Sequence, residues 1–144
     1  ARASGLERDV RRDQPSGIYR FFHIPVSTCD TGDVSARAYM RWLDIQQSFD
    51  FIRDQLKALP AGASRVPVKA LAPNRLVVAL NEAWRGEVCH VAITDAQGHF
   101  ARYKVVDPSF HNWPGLAHCL RNQEISDFPI CNKSFNLSYC GHDL

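Results

Sequence analysis

Between Asp33 and Leu59 the chain repeats apolar side chains at steps of four and three: Val34, Ala38, Trp42, Ile45, Phe49, Ile52, Leu56 and Leu59. At about 100° per residue this spacing puts one apolar stripe on a long helix. Gly32 and Asp33 supply a turn and an N-cap, whose side-chain oxygen can accept a free first-turn amide, while Pro60 and Gly62 stop the helix. Beside the stripe, Arg37, Arg41, Asp44 and Ser48 share one narrow polar lane. Two readings of that lane stay open. It is either an intrahelical Arg41–Asp44 ion pair on a solvated face, worth only tenths of a kcal/mol, or a polar seam against another segment.

The rest of the pattern is shorter in period. Residues 1–31 carry Gly5, Pro15, Gly17 and Pro25 with a brief apolar run at Ile18 to Phe22, and read as extended loop with little stability of its own. A proline and glycine connector over residues 60–75 leads into a strand from Arg75 to Asn81. Glu87 to Thr94 and His99 to Val106 flank the turn Asp95-Ala96-Gln97-Gly98 and predict a hairpin over 87–106. The expected register sets His90 opposite Tyr103, on one face with Val88, Ala92, Ala101 and Val105, so His90 is expected to face something dry. Asn112 to Asn122 predicts a short helix with Pro114 in its first turn, and Ile125 to Phe135 another. The sum is α+β in one segment: a long amphipathic helix packed with a small antiparallel sheet and short C-terminal helices.

Composition narrows the function classes. The 144 residues suit one domain. The 17 Lys+Arg against 15 Asp+Glu are spread along the chain, which argues against a nucleic-acid binder. With 45% hydrophobic and 22% charged residues the chain should fold. It has no apolar run long enough to span a bilayer. Five cysteines, an odd number without tight pairing, fit a reducing, intracellular setting. The opening at Ala1 without methionine, with Arg2 and Arg8 in what reads as mid-protein loop, leads us to expect an excised segment of a longer polypeptide.

Motif chemistry is sparse. There is no Cys-x-x-Cys, and Cys131, Cys140 and His142 repeat no known ligand spacing. There is no Gly-x-Ser-x-Gly elbow and no phosphate-cradling glycine loop. His118 and Cys119 are adjacent on a helix and so face apart. What remains is Glu82-Ala83-Trp84-Arg85-Gly86-Glu87-Val88-Cys89-His90, which runs from a strand end through a glycine into the hairpin. Arg85 can present a fixed cationic fork to an anion, or be a turn arginine on the surface. His90 is either a satisfied core histidine or a catalytic one.

Four ordered stretches together resemble the C-terminal part of the large subunit of membrane-bound, energy-converting nickel-iron hydrogenases, a family that includes the 49-kDa subunit of respiratory complex I. Ser4-Gly5 with Asp9 and Arg11 resembles its Ser-Gly-x-x-x-Asp-x-Arg loop. Gly32-Asp33-Val34-Ser35-Ala36-Arg37, followed by Arg41, Asp44 and Ser48, resembles its Gly-Asp-x-x-Ala-Arg helix, with Asp44 where glutamate is usual. Glu82-Ala83-Trp84-Arg85-Gly86-Glu87 resembles its Glu-Ala-Pro-Arg-Gly-Glu turn, with Trp84 in place of proline, and Asp107 to Asn112 resembles its Pro-Ser-Phe-x-Asn element.

The resemblance implies the fold of that C-terminal part and a role in electron transfer to quinone or a similar acceptor. It implies Arg85 and His90 as catalytic residues, and Arg37, Arg41 and Asp44 as a polar seam under the cofactor. In hydrogenases two of the four nickel-iron thiolates come from a C-terminal Asp-Pro-Cys-x-x-Cys. Here Ser138 and Gly141 fall at those positions, with Cys140 displaced by one, so we expect no nickel-iron centre and no metal site on this segment. The implied partners are the N-terminal part of the parent chain, an iron-sulfur small subunit whose cluster neighbours the site, and membrane subunits. The implied place is peripheral, on the cytoplasmic side of the inner membrane. A working nickel-iron hydrogenase and a non-catalytic assembly subunit are the rival expectations.

Overall fold

A computed structural model describes residues 1–140. The order of elements is α1 (Val10–Asp13), α2 (Val34–Lys57), β1 (Leu76–Ala83), β2 (Gly86–Thr94), β3 (Phe100–Val106), α3 (Ser109–Cys119) and α4 (Phe128–Phe135), with 3-10 turns at Arg2–Ser4, Gly17–Arg20 and Ile125–Asp127. The class is α+β, as the periodicity indicated.

Helix α2 starts where its cap dictates, with the Asp33 carboxylate accepting the Ala36 amide at 2.7 Å. Its packing differs from the expectation. The buried positions are Ala36 and Met40, joined by Ala3, Cys29 and Leu43 in one small core cluster. The stripe read from the sequence points outward: Trp42, Phe49, Ile52 and Leu56 are all more than half exposed. Periodicity tells which face of a helix is apolar, but not which segment is present to cover it. The segment before α2 lies on the other flank, where Tyr19 stacks on Phe51 and Phe22 meets the same ring edge-on.

That first segment is also more structured than an extended loop. Asp9 is fully buried, accepts the Arg11 amide at 2.9 Å as the cap of α1, and takes a two-pronged Arg11 guanidinium at 2.9 and 2.6 Å. Val10 and Ile24 are buried with it. Charge pairing, which a hydropathy pattern does not register, orders this stretch.

The three strands form an antiparallel sheet in the order β1-β2-β3. The hairpin exists, but Thr94 pairs with Phe100 rather than His99 and a bulge at Ile93/Thr94 adds a second step to the register, so His90 faces Val105, and Tyr103 faces Ala92. His90 and Tyr103 remain diagonal neighbours on one face, with Nδ1 and the phenol oxygen 2.7 Å apart. That face is open, Tyr103 being 54% exposed, so His90 does not sit in dry surroundings within this chain. Helix α3 begins at Ser109, three residues before the expected start, because Asp107 accepts the Ser109 amide at 2.8 Å and Pro108 is already helical; Pro114 therefore lies inside the helix. Leu116, Cys131 and Leu137 form the second core cluster, between α3 and α4. Among the described residues no helix is long and apolar enough to cross a membrane.

Candidate functional site

The centre of the site is the carboxyl end of α4. A helix ends with backbone carbonyls that have no intrahelical partner, and the aligned peptide dipoles make that end negative. Here arginines satisfy them. Arg41 donates to the carbonyls of Ser134 and Phe135, the second at 2.7 Å, and Arg85 donates through Nε to that of Asn136, the left-handed C-cap at φ 51°. Arg37 joins through Nε to Ser134 Oγ at 2.8 Å and Nη1 to the Gly32 carbonyl at 2.7 Å, its guanidinium lying 4.3 Å from the centre of the Phe135 ring.

Arg85 reaches this place because the β1–β2 turn is short. Ala83 pairs with Gly86, which leaves Trp84 and Arg85 at the tip. Gly86 has φ 125°, a conformation that side-chain-bearing residues rarely adopt, and an added Cβ would already meet Pro108 at 3.4 Å. The tip is clamped from the other side by Asn112, which donates to the Arg85 carbonyl at 2.9 Å.

The three guanidiniums line one cleft of about 430 Å³, with His111, Asn112 and Glu82 also on its wall. None of the three has a carboxylate partner among the described residues; their hydrogen-bond partners are carbonyls, a hydroxyl and the Cys119 sulfur. Burial, and then the like charges of Arg37 and Arg85, hold the Arg41 pKa below the ordinary arginine value.

Behind the cleft the acids are bound up. Asp44 takes both prongs of Arg2 at 2.7 and 2.6 Å. The intrahelical Arg41–Asp44 pair is therefore absent, and the polar lane of α2 is a seam against other segments. For Arg2, burial works against the charge, but the hydrogen bond and charge of Asp44 outweigh it and its pKa rises. Glu82 accepts the Val10 amide at 2.9 Å and lies on the wall of both the cleft and a second cavity of about 420 Å³ beside Asp44 and Ser48. Burial pushes its carboxyl above the usual carboxylate range.

The structure thus brings Arg37, Arg41 and Arg85 together, with Asp44 one layer behind. It does not bring His90 to them. That residue lies four positions beyond Gly86 along β2, roughly 13 Å at the strand rise, and is not on the cleft wall. Sequence reasoning missed His111, Asn112 and Glu82 as wall residues. The first two stand in the Asp107 to Asn112 stretch, and Glu82 three residues before Arg85, so the motifs themselves were the available signal.

Among the described residues no three His, Cys, Asp or Glu side chains gather where they could hold a metal ion. Cys119 and Cys131 line a different cavity, and Cys140 meets Ser138 Oγ at 3.9 Å on the surface. Gly141, the other aligned ligand position, and His142 lie outside the described residues.

This α+β chain, with its cluster of guanidiniums at the turn between the first two strands, has clear relatives among known proteins. Residues 1–76 match the family described as the respiratory-chain NADH dehydrogenase 49 Kd subunit. The carbon monoxide-induced hydrogenase of Rhodospirillum rubrum is 31% identical over 136 residues, covering 94% of this chain and 38% of that protein. An NADH-quinone oxidoreductase component of Herpetosiphon aurantiacus is 31% identical over 144 residues, with the same coverages of 94% and 38%. A chain of the membrane-bound sulfane sulfur reductase, an archaeal respiratory membrane complex, shares the fold at TM-score 0.88 and 23% identity, covering 99% of this chain and 41% of that one. The protein belongs to the family of the 49-kDa NADH dehydrogenase subunit, which embraces membrane hydrogenase large subunits. It spans well under half the length of these relatives.

Proposed function

We propose that this chain is a C-terminal segment of a large-subunit protein of the complex I and membrane-hydrogenase type, whose cationic cleft serves electron transfer to quinone or a similar acceptor. The observation that carries this reading is the convergence of Arg37, Arg41 and Arg85 without a carboxylate partner. Reduction of a neutral acceptor places negative charge on its oxygens, and prearranged positive charge stabilises that state without reorganisation. Arg85, at the turn tip, makes contact with the acceptor; Arg37 and Arg41 supply field beneath it; Asp44 fixes Arg2 and so the floor of the cleft. Glu82, whose carboxyl burial pushes above the usual carboxylate range, stands on the same wall and is placed to hand a proton to a reduced oxygen.

The residues present do not fit a nickel-iron group. Soft bridging thiolates are required, and the aligned position within the described residues is Ser138, a hydroxyl whose amide is tied to Ser109 Oγ at 2.9 Å.

The surface supports the wider assembly. The chain exposes 10618 Å², where a self-contained protein of this mass exposes about 7500 Å². Large apolar side chains contribute to it on the α2 stripe and on both faces of the sheet, where Val77, Val78 and Tyr103 are all more than half exposed. The N-terminal part of the parent chain, an iron-sulfur subunit and membrane subunits are the partners this reading assigns. The location it assigns is peripheral, on the cytoplasmic side of the inner membrane.

The test uses the intact complex, with a short-chain quinone as acceptor. Arg85→Ala should lower the electron-transfer rate about 10²-fold, the scale on which loss of a prearranged donor acts, while the complex stays assembled. An unchanged rate would assign the chain a structural role, and stoichiometric nickel with hydrogen uptake would make it a hydrogenase.

A further inference from the structure

Two of the cysteines lie together. Cys119 ends α3 and Cys131 lies in the middle of α4, and they pack in the same core cluster and line one cavity of about 780 Å³. One arginine ties the two together: Arg37 Nη2 donates to the Cys119 sulfur at 3.4 Å, and Arg37 Nε donates at 2.8 Å to the Ser134 hydroxyl that bonds the Cys131 carbonyl. Cys29 and Cys140 meet hydroxyls instead, of Thr31 and Ser138.

We propose that Cys119 and Cys131 are a redox-active dithiol, converted to an intramolecular disulfide by exchange with small disulfides of the glutathione class. This goes beyond the acceptor assigned to the cleft and does not depend on it. Cys119 is the half-buried member and carries the cationic neighbour, so the thiolate that attacks has Arg37 as its counter-charge. Cys131 is only 5% exposed, and burial, then the neighbouring Cys119, push its thiol up. The roles follow. Cys119 sulfur attacks the external disulfide and expels one small thiolate, leaving a mixed disulfide. Cys131 sulfur then gives up its proton, attacks the Cys119 sulfur and expels the second small thiolate. Two protein thiols and one external disulfide become one protein disulfide and two small thiols, so two electrons leave the protein for the external disulfide and both protons end on its thiol products.

The pair also touches the cleft. Arg37 bonds Cys119 through Nη2 and Ser134 Oγ through Nε, and that hydroxyl donates to the Cys131 carbonyl at 2.6 Å. Oxidation consumes the thiol that Arg37 contacts, so the guanidinium on the cleft wall reports the redox state of the pair.

The experiment is peptide mapping of the full-length protein in its complex, equilibrated in reduced and oxidised glutathione and quenched with an alkylating agent. The expected result is a stoichiometric Cys119–Cys131 bridge in the oxidised buffer and two alkylated thiols in the reduced one. Cys131→Ser should strand one glutathione on Cys119, and Cys119→Ser should leave Cys131 unmodified in the folded protein. Both thiols alkylated in the oxidised buffer, a persistent glutathione adduct on wild-type Cys119, or a bridge to Cys29, Cys89 or Cys140 would overturn the proposal. The wild-type measurement stands whether or not either variant folds.

Discussion

The carboxyl end of α4 and the three-stranded sheet are stabilised in opposite ways. At α4 the chain supplies its own partners: three terminal carbonyls are taken by two arginines, and the turn carrying one of them is clamped by Asn112. In the sheet the backbone ladder closes except at the Ile93/Thr94 bulge, yet apolar side chains on both faces stand in the open. Hydrogen bonds are directional and close locally, so polar order is self-contained here. Burial of apolar area needs a second surface, and among the described residues the exposed Val77, Val78 and Tyr103 have too little of one.

That contrast is best attacked at the cleft, beginning with the rate loss expected for Arg85→Ala. Next in size, Arg41→Ala strips two part-buried carbonyls of their donor and should lower folding stability by about 2 kcal/mol, at the cost scale of unsatisfied polar groups, measurable by denaturant titration. A smaller effect depends on pH. Because burial lifts Glu82, the folded chain keeps a proton through a window in which the unfolded chain has released it. Stability should fall as pH rises through that window, and Glu82→Gln should flatten the fall. Asp9 acts at the acid end: burial alone would raise its pKa, the Arg11 pair outweighs it, and stability present above the usual carboxylate range is lost as pH drops through the depressed folded value. On the sheet the effects shrink. His90→Phe removes one hydrogen bond to Tyr103 and should cost no more than about 1 kcal/mol. Val78→Thr keeps the β-branch at an exposed position and should stay within about 0.5 kcal/mol, while weakening assembly in a pull-down of the complex. A large stability loss from Val78→Thr in the isolated chain would show that the sheet face is covered from within.

Much of the scaffold was legible in advance because it is set by short-range chemistry. Asp33 caps α2 as its spacing implied, and the turn at Asp95 to Gly98 joins two strands. The site was legible through motifs rather than through pattern: Arg37, Arg41 and Arg85 stood in stretches whose order along the chain identified the family. What misled was each inference about surroundings. A turn one residue longer than expected and the bulge at Ile93/Thr94 together moved His90 off Tyr103 by two positions, and no local residue type announces such a shift. The stripe on α2 was correctly apolar and wrongly assigned to the interior of this chain.

The amino-acid order alone determined the helix and its ends, the strands, the family and the identity of the cationic residues, since capping, periodicity and motif spacing act within a few positions of each residue. Only the tertiary structure decided that Asp44 belongs to Arg2 rather than to Arg41, that three guanidiniums meet at one helix end, and that two thiols separated by roughly 40 Å of fully extended chain share one core cluster and line one cavity. Those are contacts between segments distant in sequence, selected by which charges and carbonyls would otherwise be left without partners.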